Sequence, residues 1–322
     1  MRPEQHPSLS VVIVMYRMAA QISNTLRSVT PPYQRGLMAD DYEIILVDNG
    51  SPEPLSEAVW NVAETVRYRY IPPERATPNP GSALNAGVAI ARAPIVCVMI
   101  DGARMLTPGV LRWGLRMTRL AESAVTEVRS WHLGPNRQKF SIEEGYTPEL
   151  ERELLESVRW YDDGYRLFEI AVPAGNVEGG FFGRARESNC VFIHRSLYER
   201  IGGYDERYGF PGGGLVNRDF FWRVATTAET VFTLLGEGTF HQEHGGAATG
   251  QRTGVARRKE VAGWRAEYAQ LSRPFDRQAP PYEPILVGHL PAEYRQWLVV
   301  DATAPDLSHD PSEAPAVPAA DS

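Results

Sequence analysis

Cysteine is scarce, with only Cys97 and Cys190 in 322 residues. Each lies inside an apolar run, where a thiol behaves as a small buried hydrophobe, so the sequence predicts no disulfide. No apolar run approaches the length needed to cross a bilayer. The N-terminal run Leu9 to Met15 is broken by Arg17 and lacks a small-residue cleavage site, so it reads as a strand and not as a signal peptide. These absences predict a cytoplasmic chain with no integral membrane segment, although docking on a membrane through a partner stays open. No block of Lys and Arg stands out, and the formal net charge is −7. Such a chain gains little from counterion release on a polyphosphate strand, which argues against nucleic acid as a partner. Any phosphate it binds should be small and locally held. No internal repeat is present, which excludes a solenoid. Nor does a glycine-rich turn follow the first apolar run, where the chain reads Met15-Tyr16-Arg17-Met18. That speaks against a dinucleotide-dependent oxidoreductase and a nucleotidyltransferase.

What is present is ordinary globular chemistry, with 43% apolar and 23% charged residues, enough for a large core. The first hundred residues alternate strand and helix patterns, the signature of βαβ units around a largely parallel sheet. Strands are expected at Leu9 to Met15, Glu43 to Val47, Val66 to Ile71 and Ile95 to Ile100. Helices are expected from Met18 to Val29, stopped by Pro31-Pro32, and from Ala83 to Ala91 with Ser82 as N-cap. Thr107-Pro108 and Thr147-Pro148 each carry a helix start signal, and Val125 to Leu133, Cys190 to Ile193 and Thr230 to Leu235 read as further strands. Beyond about Gly250 come a charged helix from Val255 to Leu271 and a strand candidate from Gln296 to Val300. From Ala304 onward Asp, Pro, Ala and Ser dominate, so that tail is expected to be disordered.

Two of the strands stop on an aspartate, Asp48 and Asp101. In an open α/β sheet the carboxyl ends of strands open onto the ligand crevice, so acids there face a bound molecule. Ser10 to Tyr16, Glu43 to Ser51, Asn85-Ala86-Gly87, Asp101 and Gly202-Gly203-Tyr204-Asp205-Glu206 occur in an order that resembles the family 2 glycosyltransferases of the GT-A fold. The resemblance covers roughly residues 8 to 250. It implies an α/β, Rossmann-like three-layer sandwich around a mixed, mostly parallel sheet in residues 1–250, followed by a helical extension (251–303) and the tail (304–322). It also implies an inverting glycosyltransferase of hexosyltransferase type. The donor would be a nucleotide-diphosphate sugar, and the acceptor hydroxyl would belong to a glycan, a lipid-linked molecule or a small molecule.

In that family the acid ending the second strand binds the nucleoside, a place held here by Asp48; the alternative is that Asp48-Asn49-Gly50-Ser51 is only a turn. Ser82 and Asn85 match the segment beside the nucleotide. Asp101 matches the first acid of the Asp-x-Asp motif, which holds a divalent cation, Mn or Mg, against the diphosphate. The second acid is replaced by Ala103, so one carboxylate would hold the ion only weakly. Arg104 offers a permanent charge near the diphosphate instead, and His241 stands where many GT-A enzymes supply a histidine to the cation. His241 and His244, three apart, could also mimic half a zinc site, but the cysteines lie too far away to complete it.

An alcohol attacking an anomeric carbon must shed its proton, which a positioned carboxylate eases. Aligning Asp219 and Arg223 with the family pattern puts Val216 and Asn217 on its acidic pair, and neither can act as a base. Asp219, and next to it Asp205, are the remaining candidates, while Gly212-Gly213-Gly214 reads as a flexible rim of the acceptor cleft. The two missing acids leave a second reading, a non-catalytic protein of the same fold that binds sugar nucleotides or glycans. Donor sugar, nucleotide base, acceptor and oligomeric state are not legible.

Overall fold

The computed structural model describes residues 6–178, 181–245 and 254–290. The strands are β1 (Leu9–Met15), β2 (Tyr42–Asn49), β3 (Val66–Ile71), β4 (Ile95–Met99), β5 (Arg104–Leu106), β6 (Ala124–Leu133), β7 (Ala171–Pro173), β8 (Val177–Glu178), β9 (Arg184–Ala185), β10 (Cys190–His194), β11 (Thr230–His241) and β12 (Pro284–Gly288). The helices are α1 (Ala19–Val29), α2 (Glu57–Trp60), α3 (Pro80–Val88), α4 (Val110–Thr118), α5 (Gln138–Glu143), α6 (Pro148–Val158), α7 (Arg195–Arg200), α8 (Val216–Thr227) and α9 (Gly254–Leu271). The main sheet runs β12-β11-β6-β10-β4-β1-β2-β3, with β5 on β11 and β7 on β6, while β8 and β9 form a separate hairpin. Along that path every pair is parallel except the two made by β10, which runs against β4 and β6. The mixed, mostly parallel sheet expected from the sequence is therefore present. Its N-terminal strands are apolar on both faces, as buried parallel strands must be.

Alternation along the strands sorts those side chains into two layers. Val12, Val14, Ile45, Val47, Val96 and Val98 pack with α3, α7, α8 and Tyr268 of α9. Val11, Ile13, Ile44, Leu46, Cys97 and Met99 pack with α1 and α4 on the other face. Close approach sets the glycines here: a Cβ on Gly87 of α3 would sit 2.4 Å from Val12 Cγ1. The small residues of Asn85-Ala86-Gly87 thus seat the helix on the sheet. A third apolar cluster, built on Trp131, Phe168 and Phe240, lies under α6. Cys97 and Cys190 are buried and free, as expected. No helix among the described residues is long and apolar enough to cross a membrane.

Three local expectations are corrected. The helix assigned to begin after Ser82 starts at Pro80, because the Asn79 side chain accepts from the Gly81 N–H and proline occupies the first turn. The Ser82 hydroxyl is buried without a hydrogen-bond partner. Thr107 does not cap α4; its hydroxyl donates to Glu237 at 2.5 Å, tying the loop to β11. Thr147, in contrast, caps α6 by accepting from the Leu150 N–H. Finally, β11 continues to His241, past a register shift between Leu234 and Thr239 where Gly236 adopts a φ of +74°. That irregularity hid the strand's second half. The charged helix beyond Gly250 is α9, and β12 joins β11 at the sheet edge in parallel. The strand candidate Gln296 to Val300 and the tail from Ala304 lie outside the described residues.

Candidate active site

Strand register brings the two aspartates to one edge. Met15 pairs with Asp48, and Ile13 pairs with Met99, so Asp101, two residues further on, comes level with Met15 on its other side. Asp48 and Asp101 thus flank β1 at the carboxyl end of the parallel strands. Gly102 is pressed against β1 there, where a Cβ would meet Met15 Cβ and Val14 O at 2.9 Å.

Around Asp48 every group is paired. Asp48 Oδ1 accepts from the Ser51 N–H and Oδ2 from the Tyr68 hydroxyl, each at 3.0 Å. The Ser51 hydroxyl accepts from Arg17 N at 2.8 Å, and its carbonyl accepts from the Tyr70 hydroxyl at 2.9 Å. Arg17 is held at a φ of +55°, fixing the turn after β1. Burial and the neighbouring Asp48 push the Tyr68 phenol well above its ordinary pKa, so it stays a donor. The turn bond proposed as the plain alternative is present, and each carboxylate oxygen keeps a further lone pair.

The Asp101 half is built differently. His241, at the end of β11, places Nε2 at 2.7 Å from Asp101 Oδ2. His244 places Nε2 at 3.7 Å from Asp101 Oδ1 and 3.1 Å from His241 Nε2. One ligand atom from each of these three residues lies within 4.8 Å of the others. Asp101 Oδ1 also accepts from the Ala103 N–H, and Arg104 Nε lies 3.5 Å from Oδ2. Burial opposes a charge on Asp101, but His241, His244 and Arg104 outweigh it and hold the carboxyl well below its usual range. Burial pushes His241 down to about 4, against the pull of Asp101. The ring is thus neutral at physiological pH.

A neutral imidazole has one N–H, yet acceptors face both of its nitrogens here. His241 Nδ1 lies against Gln138 Oε1, and the orientation of that amide is fixed because Gln138 Nε2 donates to Glu243 Oε2 at 2.8 Å. The single proton serves Nδ1 or Nε2, and the other nitrogen turns a bare lone pair on an acceptor. Such a cluster of lone pairs is relieved by a cation, and one carboxylate with two imidazoles is a donor set that suits a divalent transition metal such as manganese. The residues present fit such an ion. His244, weighed in the sequence only as part of an unconvincing zinc pattern, belongs to the cluster. Gln138 was not found at all, since no residue spacing signals a second partner of a histidine.

The loop carrying both histidines is tied on every side. Gln242 Oε1 accepts from Asn24, its amide donates to Gln21 O and Thr25 Oγ1, and Gln21 Nε2 donates to Glu243 O. Glu151 of α6 accepts from the Glu243 N–H with both oxygens and from the Tyr146 hydroxyl. Arg104 is a buried residue of β5, facing β11 in register with His241. Its Nε and Nη1 have no hydrogen-bond partner. A buried, permanently charged group with free donors beside Asp101 is poised for an anionic ligand.

The other expected site residues lie elsewhere. Asn85 has a saturated amide: its oxygen accepts from the Tyr198 hydroxyl and Tyr204 N, and its nitrogen donates to Tyr204 O and Glu206. It stitches α3 to the Gly202–Glu206 turn. Asp205 is bound by Arg207 through the backbone N–H and three guanidinium contacts, which hold its carboxyl below the ordinary value. Asp219 is paired with Arg223 at 2.8–2.9 Å, and that arginine also donates to Ile201 O and Gly203 O. This pair braces α8 against the Gly202-Gly203 turn. Asn217, at the second place of the missing acidic pair, contacts the Tyr204 hydroxyl at 3.4 Å and Asn189 at 3.3 Å.

Fold and edge geometry define a GT-A type sheet with two aspartates at the carboxyl rim of its parallel strands. Residues 10–101 match the family described as glycosyl transferase family 2. A curated relative is validoxylamine A glucosyltransferase of Streptomyces hygroscopicus subsp. jinggangensis (strain 5008), 29% identical over 96 residues that span 30% of this chain and 22% of that protein. The enzyme of the same name from S. hygroscopicus subsp. limoneus is 30% identical over 100 residues, 30% of this chain and 20% of that one. The chain therefore spans only about a fifth of the length of these curated relatives. Among solved structures, residues 1–349 of S. aureus TarS superpose with a TM-score of 0.52 at 11% identity, covering 83% of this chain and 73% of that one. The same protein in complex with UDP-GlcNAc gives 0.51 at 11% identity, covering 83% and 74%. At such identity the likeness speaks for the fold alone. The family match runs from β1 to Asp101, and over that stretch the chain is similar to family 2 glycosyltransferases.

Proposed function

We propose that the protein transfers a sugar from a nucleotide-diphosphate donor to an acceptor hydroxyl, with inversion at the anomeric carbon. The observation that carries this reading is the placement of Asp48 and Asp101 on either side of Met15 at one sheet edge, with His241 and His244 gathered on Asp101. Asp48 accepts from the base or ribose of the nucleoside, using the lone pairs left beside Ser51 and Tyr68. Asp101, His241 and His244 would hold a divalent cation, which supplies positive charge to the departing diphosphate. Arg104 adds a permanent charge at the same place through its free Nε–H and Nη1–H groups. Stabilising charge that develops on a leaving group is commonly the largest part of such catalysis. Asp205 and Asp219 are paired with Arg207 and Arg223, which lets each brace the turn it sits on.

The experiment is calorimetry or thermal shift against nucleoside diphosphates and their sugars, each with and without Mn2+ or Mg2+. The reading expects a response to one nucleotide that strengthens with the ion; no response to any of them removes it. The second reading, a binding protein that has lost its chemistry, is favoured by Val216 and Asn217 at the positions of the family's acids. Tight donor binding without release of nucleoside diphosphate to water or to any acceptor would establish it.

A further inference from the structure

Loss of the acidic pair leaves a transferase without its expected base, and one carboxylate at the same sheet edge is uncommitted. Glu187 lies three residues before Cys190, which pairs with Met99 in the antiparallel β10/β4 register. Continuing that register backwards brings Ser188 level with Asp101 and Glu187 level with Gly102. Because β10 is reversed, its N-terminal end arrives at the edge where the parallel strands end. The segment is anchored there: Asn176 Nδ2 donates to Glu187 O at 2.9 Å, and the Ser188 hydroxyl reaches Val128 O and Cys190 O. Asn189, two residues on, contacts Asn217 and Ser130.

The charge of Glu187 is felt at two neighbours. With Asp101 it is one of the two carboxylates that raise the pKa of buried Arg104 against the lowering effect of its burial. It also acts on Tyr204, whose hydroxyl meets Asn217. The residue is half-buried, and among the described residues its carboxylate accepts no hydrogen bond and joins no ion pair. Asp205, Asp219, Glu127 and Glu237, in contrast, each have a side-chain partner.

We propose that Glu187 is the general base of the transfer, set on the neighbouring antiparallel strand in place of the acid missing at Asn217. The inference rests on the transferase reading above. In the step, a Glu187 oxygen takes the acceptor O–H proton as that oxygen bonds to the anomeric carbon. The carbon's bond to the diphosphate oxygen breaks with the electron pair leaving on the diphosphate, and Glu187 returns its proton to solvent after product leaves.

The test uses the full chain with Mn2+ and three probes, UDP-glucose, UDP-N-acetylglucosamine and GDP-mannose, reading donor binding by calorimetry and nucleoside diphosphate release to water. Glu187→Gln is expected to bind the donor within about twofold of wild type and to lower release by about 100-fold or more, the range for a lost general base. The acid limb of the pH–rate profile should disappear with it. Glu187→Ala with added formate should recover part of the rate, a readout that a merely structural role would not move. Release by Glu187→Gln above about a third of wild type overturns the proposal, as does a loss of donor binding in step with the loss of rate. Wild-type chain that binds a probe without releasing diphosphate overturns the base and supports the binding-protein reading. Wild type that binds none of the three overturns the transferase reading itself, and the base with it.

Discussion

The two halves of the sheet edge differ in how their charge is satisfied. At Asp48 the carboxylate is neutralised by uncharged donors from Ser51 and Tyr68, and the pocket is closed on itself. At Asp101 a carboxylate, two imidazoles and an arginine crowd together with donors and lone pairs left over. The first half is a finished piece of protein that can accept a ligand as an extra partner. The second is a set of groups whose unpartnered donors and lone pairs suit a bound ion. On the proposed function the difference separates recognition from chemistry: one half would hold a nucleoside in place, and the other would manage charge.

Removing a group from each half should therefore give different kinds of defect. The largest effect is expected from His241→Ala, which takes one of three donors from the cluster. Mn2+ affinity, read by calorimetry, should fall by more than the ~10–100-fold typical of outer-sphere changes, while metal-free nucleotide binding through Asp48 persists. Asp48→Ala should do the reverse, abolishing the response to the preferred nucleotide and leaving Mn2+ uptake intact. It also orphans the Ser51 N–H and the Tyr68 hydroxyl, so denaturant melts should show a loss of about 1–3 kcal/mol. If both variants lose metal and nucleotide together, the two halves are one unit and the contrast fails.

Next in size is Gln138→Ala, which removes the acceptor that faces His241 Nδ1. Mn2+ affinity should drop about 10-fold or somewhat more, with an unchanged melting temperature separating a positioning role from a general loss of fold. The smallest effect concerns Glu151, behind the histidine loop. Burial raises it from 4.5 to about 7, with the Glu243 N–H and Tyr146 hydroxyl opposing and the Glu243 charge assisting. A carboxyl raised on folding binds more protons folded than unfolded between those values, so its contribution to stability is lost as pH rises through that window. Glu151→Gln cannot ionise. Its stability relative to wild type should climb between pH 4.5 and 7 by at most about 3 kcal/mol and level off above. A difference that stays flat with pH would mean that Glu151 does not titrate in the folded chain.

The sequence made the Asp48 half legible and the Asp101 half only partly so, for a physical reason. Asp48 and its partner turn are contiguous, and β1 to β4 are unbroken apolar runs whose lengths and stops mark a parallel sheet. The Asp101 cluster is assembled from residues 140 positions apart by a β11 whose second half is disguised by Gly236 and Gly238. His241 was placed by its rank in the family series, whereas Gln138 sits on α5, a two-turn helix with no capping signal. Asn85 shows the opposite case. Its position in the series suggested a ligand contact, but a carboxamide with two acceptor sites and two donors can be used up by one turn, and no sequence pattern reports that.

The late place of β11 in the chain also sets a schedule. A ribosome delivers Asp48 and Asp101 early, yet the strand that carries His241 is complete only after three-quarters of the polypeptide has emerged. Until β11 docks, β6 presents bare amides and carbonyls along one flank, the kind of surface that captures other unfinished chains. A nascent or clipped form ending before Thr230 would therefore own the Asp48 rim and lack the histidines. It would be exposed to misassembly for as long as that flank stays open.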